Sequence, residues 1–268
     1  MSEEMDDLFG DLDRTLESSS EVDEADKVDL SKQAVEEEEF SFLDGEDESF
    51  DDDVHVGQSL YVQPKDWPEI KVSGSSVNIV PVLVDDSYSV YGRGSDDQLR
   101  KAVRSMIVEL RNIKKETGKD TFVVLQGFRT RYFAGNILDL DERELYIKCD
   151  VDGTPLVERS IDIYRHASRA EEALKLKGVS TTVNMLVITD GEPLDDSCYP
   201  REFRALVDEK PYWKISGLGL DNNDSSGEWD DVDFEAMFNS MGIKKVIIAT
   251  PSELRRALYN FSRSVSAV

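Results

Sequence analysis

Five short apolar runs, separated by amphipathic stretches, set the rhythm of this chain. Val77 to Val84 (VNIVPVLV), Thr121 to Gln126, Val183 to Ile188 (VNMLVI), Tyr212 to Leu218 (YWKISGL) and Lys245 to Ala249 have the length and composition of buried strands. Between the first two, Leu99, Val103, Met106, Ile107, Leu110 and Ile113 recur at helical spacing across Asp96 to Glu116. The pattern predicts further helices over Pro155 to Lys177, Tyr199 to Glu209, Val232 to Met241 and Pro251 to Val265. The stretch Asp139 to Asp150 (DLDERELYIKCD) reads as a turn followed by an edge strand, with Leu145, Ile147 and Cys149 on one side. Strands alternating with helices specify an α/β fold: a doubly wound, mostly parallel central sheet with helices on both faces and right-handed crossovers.

The chemistry gathers where strands end. The first apolar run stops at Asp85-Asp86-Ser87-Tyr88-Ser89, which offers a carboxylate and then hydroxyls at every second position. Gly153-Thr154-Pro155-Leu156 opens the long helical stretch, and Thr189-Asp190-Gly191-Glu192-Pro193 follows the Val183 run. Each places a short oxygen-bearing side chain at a turn forced by Gly or Pro. Hard oxygen donors from three loops suit a small, hard cation that seeks six oxygens and keeps some as water. In open α/β sheets such a site belongs beyond the carboxyl ends of the strands, where strand order reverses.

These three segments together resemble the metal-ion-dependent adhesion site (MIDAS) of the von Willebrand factor A (VWA) domain family. The resemblance spans roughly residues 75 to 265 and falls on Asp85, Ser87, Ser89, Thr154 and Asp190. It implies a Mg²⁺ site, with Mn²⁺ able to substitute. Ser87 and Ser89 are expected to coordinate directly, Thr154 and Asp190 directly or through water, and Asp85 to hold the hydroxyls and bound waters by hydrogen bonds. It also implies metal-assisted binding rather than catalysis, with an open coordination position for a carboxylate of a protein partner. By analogy with small free-standing members, one expected partner class is a MoxR-type AAA+ ATPase, which this protein would serve as an adaptor.

Charge divides the chain. The 268 residues carry a formal net charge of −26. Residues 1–53 hold 23 Asp or Glu and 3 Lys or Arg, a net of −20, which leaves −6 for the remainder. Such a segment buries too little apolar surface to offset the entropy of ordering it, so residues 1–55 read as an acidic disordered tail. Residues 56–74 form a lead-in and 75–268 the folded domain. Met5, Leu8, Phe9 and Leu12 fall at helical spacing, and Phe40, Phe42, Leu43 and Phe50 sit among acids, a pattern of apolar anchors that dock on a partner. The alternative reading is a viral or phage structural or inhibitory protein acting through this tail, nucleic-acid mimicry included. Direct nucleic-acid binding is not expected of so acidic a chain.

Two cysteines, Cys149 and Cys198, and two histidines, His55 and His166, supply no zinc spacing and no disulfide framework. With no signal region at its start and no apolar stretch near ~20 residues, the chain reads as cytoplasmic, without a membrane segment. A phosphatase of the haloacid dehalogenase type needs a second acid two residues beyond its nucleophilic aspartate, and Ser87 stands there. No GxSxG elbow, phosphate-cradling loop or HExxH pair appears, so no enzyme activity is expected. The loop from Gln126 to Asp139 (QGFRTRYFAGNILD), with three aromatics and two arginines outside any family motif, reads either as a private partner surface or as the packing of a turn.

Overall fold

The computed structural model describes residues 67–194, 197–221 and 232–266. The acidic tail, the first part of the lead-in, and Asp195 and Asp196 beside the TDGEP motif lie outside the described residues.

Six strands, β1 (Ser76–Val84), β2 (Asp120–Gln126), β3 (Arg131–Asn136), β4 (Ser180–Thr189), β5 (Lys214–Leu220) and β6 (Lys245–Ala249), form one sheet in the order β3-β2-β1-β4-β5-β6. All neighbours run parallel except β2 and β3. The helices are α1 (Tyr88–Gly92), α2 (Asp96–Thr117), α3 (Leu156–Leu176), α4 (Pro200–Glu209), α5 (Phe234–Ser240) and α6 (Leu254–Ser266). The doubly wound α/β architecture is as the pattern predicts. Among the described residues no helix is long and apolar enough to cross a membrane.

The central strand shows why its sequence is apolar throughout. Every β1 residue after Ser76 is buried, because a parallel sheet is covered on both faces. Val80, Val82 and Val84 join Met106 and Leu110 of α2 and Leu258 and Phe261 of α6 in one core. Val77, Ile79 and Leu83 join Val157, Ile161 and Tyr164 of α3, together with Phe203 and Phe238, in the other. Pro81 has no N–H to give, and the β1–β4 ladder breaks between Ile79↔Val183 and Val82↔Leu186. On β5, a Cβ on Gly219 would come 2.3 Å from the Phe234 ring, so the glycine is what lets α5 lie this close to the sheet.

The edge strand differs from expectation. It is β3, inside the loop that sequence reasoning left open, and Asp139–Asp150 is not a strand. That stretch does alternate: Leu145, Ile147 and Cys149 are buried and their neighbours exposed or partly so. Its carbonyls, however, accept from arginines of α2 rather than from a neighbouring strand. Arg100 Nε donates to Ile147 O at 2.8 Å, Arg104 Nη2 to Leu145 O at 2.9 Å, and Arg111 to Leu140 O. Side-chain donors thus do the work of a ladder.

The described end of the lead-in packs on the domain, with Trp67, Ile70 and Val72 against the α3-side core and Trp67 stacked on His166. Asp120 clamps it. Its carboxylate accepts from Ser73 N (2.6 Å), Ser73 Oγ (2.8 Å) and Lys114 Nζ (2.5 Å). Burial alone would raise this carboxyl, but the Lys114 and Ser73 donors override it and hold it at about 2. A depressed folded value stabilises above the unfolded carboxylate value and is lost as pH falls toward about 2. We expect Asp120→Asn to cost about 2 kcal/mol at neutral pH. The gap from wild type should shrink to roughly half by pH 3 in chemical denaturation; a gap that stays constant with pH contradicts the clamp.

Candidate metal centre

The site is assembled on Asp85, the first residue after β1. Its backbone N–H donates to Ile188 O at 2.9 Å, which ties it to β4. Oδ1 accepts from Ser87 N at 2.9 Å and Ser87 Oγ at 2.5 Å. Oδ2 accepts from Thr189 Oγ1 at 2.7 Å and Asp190 N at 3.4 Å. One buried carboxylate therefore joins the loop after β1 to the loop after β4.

From Ser87 the polar chain continues across the site. Ser87 Oγ and Ser89 Oγ are 2.8 Å apart, and Ser89 Oγ donates to Asp190 Oδ1 at 2.8 Å. The third loop is stitched to both others through backbone. Val151 N donates to Asp86 O and Tyr88 N to Val151 O, while Thr154 and Leu194 exchange N–H···O bonds of 3.1 and 3.0 Å. The structure thus gathers the three segments that bear Asp85, Ser87, Ser89, Thr154 and Asp190 at the carboxyl ends of β1 and β4. All but Ser89 are buried.

The donors are hydroxyls and two carboxylates, and among the described residues no three His, Cys, Asp or Glu side chains converge. That set suits a hard, oxygen-seeking cation. Burial raises the Asp190 carboxyl, and the adjacent Asp85 charge raises it further, against the opposing pull of Ser89 and Arg93. Asp190 Oδ2 is buried and accepts no hydrogen bond. Arg93 Nη1, 3.5 Å from that oxygen, offsets part of the cost of burying it beside a second carboxylate, and a bound cation would offset the rest. The residues present fit a hard divalent cation.

Three residues that sequence reasoning did not single out also shape the site. Thr189 bridges the Asp85 carboxylate and the Gly191 backbone (2.7 and 3.0 Å). Arg93, just past α1, donates from Nη1 to Asp190 O at 2.5 Å. Asp86 turns away from Asp85, taking Phe128 N at 2.8 Å and the Tyr132 hydroxyl at 2.7 Å. Burial pushes Asp86 up to about 6 despite those donors. The doublet Asp85-Asp86 was the available signal for Asp86, since adjacent acids at a strand end must point to opposite sides. The 126–139 loop accordingly anchors the β1 turn, with Phe128 buried.

Burial pushes the Cys149 thiol up to about 12, and His166 lies on α3 against Trp67. Around the centre Tyr88 and Tyr91, whose rings lie 5.7 Å apart, and Leu194 opposite Thr154 are exposed, beside the exposed acids Asp152 and Glu192.

No family model and no curated protein sequence matches the chain. Among solved structures it is similar to the pilus adhesin SpaC of Lactobacillus rhamnosus GG, at 14% identity and a TM-score of 0.50, over 75% of this chain and 31% of that one. It is also similar to proximal thread matrix protein 1 of the mussel byssus with a zinc-occupied MIDAS motif (15% identity, TM-score 0.47, 72% and 48% covered). A third is the manganese-loaded TRAP protein of Plasmodium vivax (13% identity, TM-score 0.46, 70% and 74% covered). This chain spans about a third of the length of the pilus adhesin. The likeness is one of fold, and the fold is VWA-like.

A Cβ on Gly127 would come 2.0 Å from Asp86 Oδ2, so this residue has to be glycine for Asp86 to hold the turn. We expect Gly127→Ala to destabilise by about 1–3 kcal/mol. Combined with Asp86→Ala it should cost less than the sum of the two single changes, because the clash is gone. Urea denaturation of the four proteins checks this, and an additive cycle contradicts it.

Proposed function

We propose that this protein is a non-catalytic, divalent-cation-dependent protein-binding module. The observation that carries the reading is a network of hydroxyls and two carboxylates that joins the loops after β1 and β4, with the Thr154 loop tied to both through backbone and Asp190 Oδ2 accepting no hydrogen bond. Ser87, Ser89, Thr154 and Asp190 would hold Mg²⁺, or Mn²⁺ in its place. Asp85, locked by Ser87 and Thr189, would keep the serine hydroxyls oriented. When bound, the cation supplies a positive position that accepts a carboxylate from a partner protein.

Binding rather than reaction fits the residues around the network. Asp85 and Asp86 have both oxygens engaged by donors of the fold, as a positioning group requires and a nucleophile does not. The partner is specified here only by its acidic residue. A MoxR-type AAA+ ATPase is one class that would present such a residue, served by this protein as a cytoplasmic adaptor. The alternative, action through the acidic tail, concerns residues outside those described.

Calorimetric titration of Mg²⁺ and Mn²⁺ into the full chain tests the reading. We expect one saturable site above the diffuse binding of the tail, abolished by Ser87→Ala plus Ser89→Ala and by Asp190→Asn. At a hundredfold excess over Kd, the cation should stabilise the wild type by about 2.7 kcal/mol. That corresponds to roughly 5–10 °C in Tm for a domain of this size. No saturable site, or a site unchanged in these variants, overturns it.

A further inference from the structure

We infer that Arg93 is a built-in counter-ion of this centre, one that weakens the hold on the cation so that cation and partner carboxylate bind cooperatively; this rests on the reading above. Arg93 belongs to both loops. Its backbone N–H donates to Ser89 O at 2.9 Å, closing α1, while its side chain crosses to the β4 loop. There Nη1 donates to Asp190 O at 2.5 Å and stands 3.5 Å from Asp190 Oδ2. The Arg93 side chain is only 13% exposed and that of Asp190 is fully buried. Solvent therefore screens the pair far less than it screens a surface ion pair.

Charge counting gives the consequence. The charged groups within the hydrogen-bonded network of the centre are Asp85, Asp190 and Arg93, a net of −1. Asp86 is turned toward Phe128 and Tyr132 instead. A divalent cation brings the centre to +1, and one partner carboxylate brings it to zero. Without Arg93 the same centre would be neutral on binding the cation alone and would go to −1 with the carboxylate. The arginine thus shifts the point of neutrality from the cation-loaded state to the partner-bound state. In a chain of net charge −26, whose overall field repels acidic partners, a locally positive centre is what admits a single carboxylate.

Mn²⁺ calorimetry on the full-length wild type, Arg93→Gln and Arg93→Lys, each with and without acetate as the carboxylate probe, tests this. We expect Arg93→Gln to bind Mn²⁺ at least roughly tenfold more tightly, the size Coulomb's law gives at the dielectric of water for removing a unit charge several ångströms from a divalent ion. Arg93→Lys should stay within about threefold of wild type, since the charge remains. Acetate should tighten Mn²⁺ binding in the wild type and in Arg93→Lys more than in Arg93→Gln. Equal or weaker Mn²⁺ binding in Arg93→Gln overturns the inference and reduces Arg93 to a loop tether, while the metal reading stands. No saturable Mn²⁺ binding in any of the three proteins overturns both. Unfolding midpoints in EDTA establish that each variant is folded; should Arg93→Gln fail there, Arg93→Lys decides, with more than tenfold weakening counting against the charge role.

Discussion

One buried carboxylate, that of Asp85, is what the functional end of this domain depends on. Two parallel strands deliver their loops to the same edge of a sheet, but nothing in a parallel ladder fixes how those loops meet. Asp85 fixes it by accepting from Ser87 on its own loop and from Thr189 and Asp190 on the other. A group so placed cannot also offer a free oxygen, and it need not. Its role is to leave the oxygens of Ser87, Ser89 and Asp190 in one place. The cost is a carboxylate held out of water beside a second one. Arg93 offsets part of that cost from within the fold, and a bound cation would offset the rest.

The turn that carries Ser87 and Ser89 is braced from behind in the same way. Asp86 points into the β2–β3 hairpin and is held by Phe128 and Tyr132, with Gly127 pared to a hydrogen to make room. Adjacent aspartates thus divide the labour, one facing the centre and one facing the scaffold. A hairpin outside any family motif becomes part of the support for the β1 turn.

Much of this was legible in the sequence, for identifiable reasons. β1, β2 and β4 are covered on both faces, so their runs are apolar and stand out. The centre's residues sit directly at strand ends, where short motifs keep their spacing. The residues of β3 are all half-buried and carry no alternation to detect. Asp139–Asp150 alternates convincingly, yet its carbonyls are met by Arg100, Arg104 and Arg111, donors that lie far away in sequence. The helix α1 is five residues long, too short for periodicity. Arg93 was hidden because the direction in which its side chain points is set by tertiary contacts, not by its position in a motif.

The central claim is that the oxygens gathered around Asp85 hold a divalent cation. Anomalous diffraction at the manganese edge from crystals of the protein grown with Mn²⁺ tests it most directly. The account predicts an anomalous peak within coordination distance of Ser87 Oγ and Ser89 Oγ, with Asp85 still hydrogen-bonded to Ser87 and Thr189. A structure with no peak there, or with manganese held only by surface carboxylates away from these serines, would contradict it.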